Sequence, residues 1–155
     1  VLAVLLGLTI ALAQDQEETP FTVEPVLPEQ GMTEGSLRTA SYNLFAIDGS
    51  GVSGNLNVSE RVGGGTYFVV TLVGISQGNQ YRPVIFQGDC GPDRERVAVL
   101  PTVGSIQNDP FVSLANVGAS FEEVTEGDYF MYILDGESEE GAPVACGEVG
   151  VGANR

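Results

Sequence analysis

The chain has 155 residues, enough for one domain, and its 43% hydrophobic content is enough for a real core. It carries 21 Asp and Glu against 6 Arg, with no Lys and no His, for a formal net charge of −15. That balance argues against nucleic acid and anionic membrane surfaces as partners, because both bind through Lys and Arg. The missing His and Lys exclude Ser-His-Asp, Cys-His, Ser-Lys and Schiff-base chemistry.

Residues Val1 to Ala13 (VLAVLLGLTIALA) form an uncharged apolar run. It is too short to span a bilayer and suits the apolar region of a signal peptide. Ala11-Leu12-Ala13 supplies a small-x-small cleavage site, so the mature chain is expected to begin at Gln14. The charged leader expected before the run is absent, as for a start that is truncated. No Cys follows to take a lipid. Gln14 to Ser36 carries six acids, no base, and Pro20, Pro25 and Pro28. It reads as an acidic linker or tail ahead of a domain over 37–155. Within it, Phe21-Thr22-Val23 alternates and is a candidate to add to a sheet edge, its own or a neighbour's.

From Leu37 onward, short Val-, Ile-, Phe- and Tyr-rich runs alternate with Gly, Asn, Asp and Ser clusters. Strands are predicted at Ser41–Ile47, Gly54–Ser59, Tyr67–Ile75, Arg82–Phe86, Arg96–Leu100, Phe111–Val117 and Asp128–Leu134. A last short strand is placed near Val144–Val149. Asp48-Gly49-Ser50-Gly51 and Gly63-Gly64-Gly65 separate strand pairs as hairpin turns do. Tyr67–Leu72 is apolar on both faces, which places that strand centrally. Ser120–Gly127 reads as a loop or one helical turn. About eight strands at this spacing predict an all-β sandwich or flattened barrel.

Cys90 and Cys146 are the only cysteines. In an exported chain they are expected to form a disulfide, and two thiols without His do not make a structural zinc site. Asp89, Asp93 and Glu95 place hard oxygen ligands at short spacing, a weak calcium candidate whose spacing is not that of an EF-hand loop. Arg94 and Arg96 interleave with them as ion-pair partners, so a solvated loop is the favoured reading. Glu122, Glu123 and Glu126, and Glu137, Glu139 and Glu140, read as exposed loop charges. The five tyrosines read as packing residues with hydroxyls at the rim.

Three patterns occur in order: Val52-Ser53-Gly54-Asn55-Leu56-Asn57-Val58 leading to Leu72-Val73-Gly74-Ile75, then Gly88-Asp89-Cys90-Gly91, then Val144-Ala145-Cys146-Gly147-Glu148-Val149-Gly150. Over roughly Ser41 to Gly152 this arrangement resembles the copper–zinc superoxide dismutase family and its metal-less bacterial relatives. The resemblance implies a Greek-key β-sandwich with Cys90 and Cys146 at the family's disulfide positions. It also implies a lost site. Pro83 and Ile85 stand at the positions of the family's His-x-His pair, and Met131-Tyr132-Ile133-Leu134 covers the place of a further copper-binding histidine. Pro143 stands where the anion-steering arginine belongs. Copper sites of this kind rely on imidazole, so active dismutase chemistry is not expected.

The function expected from the sequence is therefore a non-catalytic, secreted or periplasmic module, not an enzyme, with no cofactor. Its partner is an unidentified protein or cell-surface component. The alternatives are a carboxylate-based calcium protein and a subunit of an extracellular assembly. The oligomeric state is left open.

Overall fold

In the computed structural model, the structure describes residues 20–25, 38–76, 78–92, 94–104 and 111–154. The expected signal peptide and most of the acidic tail lie outside the described residues. Among the described residues nine strands form: β1 (Val23–Pro25), β2 (Thr39–Ala46), β3 (Ser53–Glu60), β4 (Thr66–Val73), β5 (Tyr81–Gln87), β6 (Glu95–Val99), β7 (Val112–Val117), β8 (Asp128–Asp135) and β9 (Pro143–Gly150). One helix, α1 (Phe121–Glu126), separates β7 from β8, and a 3-10 turn covers Val151–Asn154.

The fold class is all-β, as expected. The strands form one antiparallel sheet in the order β1-β7-β4-β3-β2-β9-β8-β5-β6, bent into a nearly closed barrel or sandwich. The bend lies at β2. Its residues Thr39–Leu44 pair with β3, but only Phe45 and Ala46 pair with β9. We call β1-β7-β4-β3-β2 sheet A and β9-β8-β5-β6 sheet B.

Strand periodicity explains the layers. In β4 the pattern TYFVVTLV buries Thr66, Phe68, Val70 and Leu72 and turns Tyr67, Val69, Thr71 and Val73 outward. Neighbouring β3 buries Leu56 and Val58 while Ser53, Asn55, Asn57 and Ser59 alternate outward. β4 lies between β3 and β7, the central place its apolar faces predicted. The inward set joins Leu44, Ile85, Met131 and Ile133 in the main core. At the Ile47–Val52 connection, Asp48 (φ 50°) and Gly49 (φ 72°) both occupy the left-handed region, and Ser50 N donates to the Ile47 carbonyl. This is a tight turn with Asp48-Gly49 at its centre, set within the six-residue connection between β2 and β3, where the Gly-rich stretch predicted a turn.

Two segments were underread in the sequence. Ser120–Gly127 forms a capped helix. The Ser120 hydroxyl accepts from Glu123 N while the Glu123 carboxylate accepts from Ser120 N, a full capping box. Phe121 and Val124 bury the helix face in the core. Secondly, residues 20–25 sit inside the stretch read as a linker, yet they pack on the domain. Val23, Glu24 and Pro25 pair with Val117, Asn116 and Ala115 of β7. Phe21 N donates to the Val97 carbonyl of β6, across the gap between the two outer strands of the sheet. The Phe21 ring is buried, 5.5 Å from Tyr129 in an edge-to-face contact. The edge addition expected of Phe21-Thr22-Val23 is thus made within the chain's own sheet.

Candidate functional site

β5 (YRPVIFQ) and β8 (DYFMYILD) are buried on both faces. Their inward residues feed the main core. Their outward residues Val84, Phe86, Phe130, Tyr132 and Leu134 build a second apolar cluster with Cys146 on the outside of sheet B. Phe86 stacks on Phe130 at 5.4 Å, and Tyr132 meets Phe86 edge-on at 5.8 Å and Phe130 at 5.0 Å. Such pairs add about 0.5–1.5 kcal/mol each beyond the area they bury.

Two loops roof this cluster. The loop between β5 and β6 is tied to β9 by the Cys90–Cys146 disulfide, with Cα atoms 6.3 Å apart. It is also held by the Tyr132 hydroxyl donating to the Gly91 carbonyl at 3.2 Å. Arg94 lies over Phe86 and Tyr132, 5.0 and 5.2 Å from their centroids. The loop between β8 and β9 is held by Arg82 Nε donating to the Glu137 carbonyl and by an Arg96–Glu139 ion pair. Arg94 was expected to pair with the local acids; it stacks on rings instead. Glu139 is an exposed loop charge, as expected, and pairs with Arg96.

The positions that the resemblance matched to metal ligands point the other way. Ile85 belongs to the main core, and buried Pro83 faces Ile133 across β8 on the same inward side. Pro143 opens β9 opposite Leu134. On the outward side of β5 stand Arg82, Val84 and Phe86. Of the calcium candidates, Asp89 and Glu95 are exposed and Asp93 lies outside the described residues. Among the described residues, no group of three His, Cys, Asp or Glu side chains is placed to hold a metal ion.

A recess of about 420 Å³ opens beside the disulfide, where β2 and β9 diverge. Its walls are Ser41, Asn43 and Phe45 from β2, Glu148 from β9, the disulfide, and Ala153, with Tyr42 and Gly147 as floor. Gly147 belongs there for a steric reason. A Cβ on it would lie 2.1 Å from the Asn43 carbonyl oxygen. Burial raises the Tyr42 phenol above its ordinary value, opposed by a hydrogen bond with the Gly150 backbone. Phe45 is 67% exposed at the rim. The sequence reading did not single out this groove. One signal was present: the alternation Ser41-Tyr42-Asn43-Leu44-Phe45 puts Phe45 on the same face as two polar residues.

A separate charged grouping lies where α1 meets β3. Arg38 bridges Glu60 and Glu122, both at 2.6 Å, and lies over the Phe121 ring at 4.9 Å. The hydrogen bond from Arg38 holds Glu60 below the ordinary carboxylate value. Glu122 is lowered first by its backbone hydrogen bond and then by Arg38. This cluster pins α1 to β3. Among the described residues no helix is long and apolar enough to cross a membrane. Comparison of the chain with protein-family models, with curated proteins and with solved structures returned no match.

Proposed function

We propose that this chain is an exported, non-catalytic β-sandwich module that binds a protein or cell-surface partner at the groove between β2 and β9. The observation that carries the reading is the groove itself. It joins an exposed aromatic ring to Ser and Asn side chains, with Glu148 as its one carboxylate. Acid–base catalysis needs two titrating groups with divided roles, and a nucleophile needs a base beside it. Tyr42 is the other ionisable side chain in the recess, and its hydroxyl is engaged with the Gly150 backbone. An aromatic platform flanked by amides and hydroxyls suits recognition.

Export is supported by the apolar run Val1–Ala13 and by a disulfide, which persists in oxidising compartments. Membership of the superoxide-dismutase-like sandwiches draws support from connectivity. β7 lies beside β4, while the intervening hairpin β5–β6 is carried to the other sheet, the kind of connection a Greek key requires. The outward face of sheet B is occupied by packed aromatic rings and roofed by disulfide-pinned loops. That arrangement supports a non-catalytic role.

The test is site-specific photo-crosslinking. A photoreactive phenylalanine analogue replaces Phe45 at the groove or Val62 on the β3–β4 hairpin, which is 70% exposed. Incubation with the secreted fraction of the source cells is expected to give a discrete adduct from position 45 alone. Identical adducts from both positions, or none from position 45, overturn the assignment.

A further inference from the structure

The outer face of sheet A has an unusual charge distribution. β2 turns Thr39, Ser41, Asn43 and Phe45 outward, and β3 turns out Ser53, Asn55, Asn57 and Ser59. From β4 and β7 come Tyr67, Val69, Thr71 and Val73, then Val112, Leu114 and Asn116. None is charged, in a chain of net charge −15. The register sorts this face into two halves. Val69 lies between Asn57 and Leu114, and Thr71 between Asn55 and Val112. The β4–β7 half is therefore mainly aliphatic, and the β2–β3 half is amide and hydroxyl, with the Ser41 hydroxyl bonded to Asn55 and Asn57. Phe111, 50% exposed, and Val73, 57% exposed, extend the aliphatic half at one end.

From this face we infer that the chain self-associates as a two-fold dimer, sheet A against sheet A. The occupant follows from charge. In a two-fold interface the same patch meets itself, so an acid near the axis meets its own copy. A foreign partner of a strongly acidic protein is instead drawn by opposite charge, which this face does not offer. Across β2, β3, β4 and β7 the face carries no acid, and Glu24 of β1, opposite Asn116, stands at its edge; that clearing matters most for two copies that each carry −15. The size is adequate for a modest interface. Four strands about 4.8 Å apart and about seven residues long give a flat footprint of roughly 440 Å² before side-chain relief is counted. A standard interface buries about 800 Å² per partner, so the dimer belongs to the small, weaker class. The groove shares Ser41, Asn43 and Phe45 with the β2 edge of this face, so the variants that test the dimer are placed at Val69 and Asn57, outside the groove.

Sedimentation equilibrium of the full chain over roughly 5–500 μM tests it. The expected result is a monomer–dimer equilibrium that shifts toward dimer from about 20 to 500 mM NaCl, because salt screens the mutual repulsion. Val69→Asp and, separately, Asn57→Asp place paired acids at the interface and are expected to weaken the dimer at least tenfold. Val62→Asp, on the hairpin, is expected to change it less than twofold. Asn57 is exposed and polar, so its variant keeps the test decisive if Val69→Asp fails to fold. A monomer at the highest concentration overturns the inference and assigns the face to a different partner. So does a dimer that dissociates with salt, or one that survives both variants when both are folded.

Discussion

Replacing both Cys90 and Cys146 with Ala removes the covalent tie between the β5–β6 loop and β9. The two residues are separated by 56 positions. In the chain-entropy treatment, closing a loop of that length takes about 14 cal/mol/K from the unfolded ensemble, or about 4 kcal/mol at 25 °C. Cys146 is 7% exposed within the outer aromatic cluster, so Ala is preferred to Ser, which would bury a hydroxyl. For a domain of this size each kcal/mol shifts Tm by roughly 3–4 °C, so the fall is expected to be roughly 12–16 °C. Calorimetry of the double variant and of wild-type protein melted in reductant is expected to agree. The loop keeps its Tyr132–Gly91 bond and the Arg94 stacking, so the variant still folds. A drop below about 3 °C in both samples refutes the idea that the disulfide is a major constraint on this fold.

Phe68 is fully buried on the central strand, and Phe68→Ala is expected to cost about 3–5 kcal/mol in urea unfolding. Phe21→Ala is expected to lower stability by about 2–4 kcal/mol and to speed proteolysis near Pro20, because its ring anchors the N-terminal strand; unchanged cleavage rates contradict that anchoring. Gly147→Ala drives a Cβ into the Asn43 carbonyl and is expected to destabilise by several kcal/mol, whereas Gly49→Ala meets no atom within 4 Å and is strained only by its positive φ. Glu60 and Glu122 titrate below the ordinary 4.5, so the stability they gain from Arg38 is present above that pH and is lost as pH falls through their lowered values. The stability difference between wild type and Arg38→Ala is thus expected to be constant near neutrality and to close on acidification below about pH 4; a gap that persists in acid shows that Arg38 acts through packing on Phe121.

Eight strands were legible because alternation and Gly-rich turns are local signals, as in Thr66–Val73 and Asp48-Gly49. The ninth was less so. Three residues containing Glu24 and Pro25 carry no strand signature, and β1 exists because Phe21 and Val23 fill the gap between β6 and β7. The helix at Phe121–Glu126 was hidden by its brevity, although Ser120 and Glu123 stood at capping-box spacing. The second apolar cluster was readable as apolar runs on both faces of β5 and β8, but the roof over it was not. Arg94 stacking on Phe86 and Tyr132 joins residues that the bend of a loop brings together. The groove arises from the divergence of β2 from β9, a consequence of the barrel corner that no local sequence pattern encodes.

The proposed role is binding without catalysis. The most direct measurement is superoxide consumption by the full chain after incubation with copper and zinc and removal of unbound metal, with metal content read by mass spectrometry. A non-catalytic chain gives a rate equal to that of the protein-free control and far less than one metal ion per chain. One tightly held copper per chain, with a rate that scales with protein concentration, contradicts it.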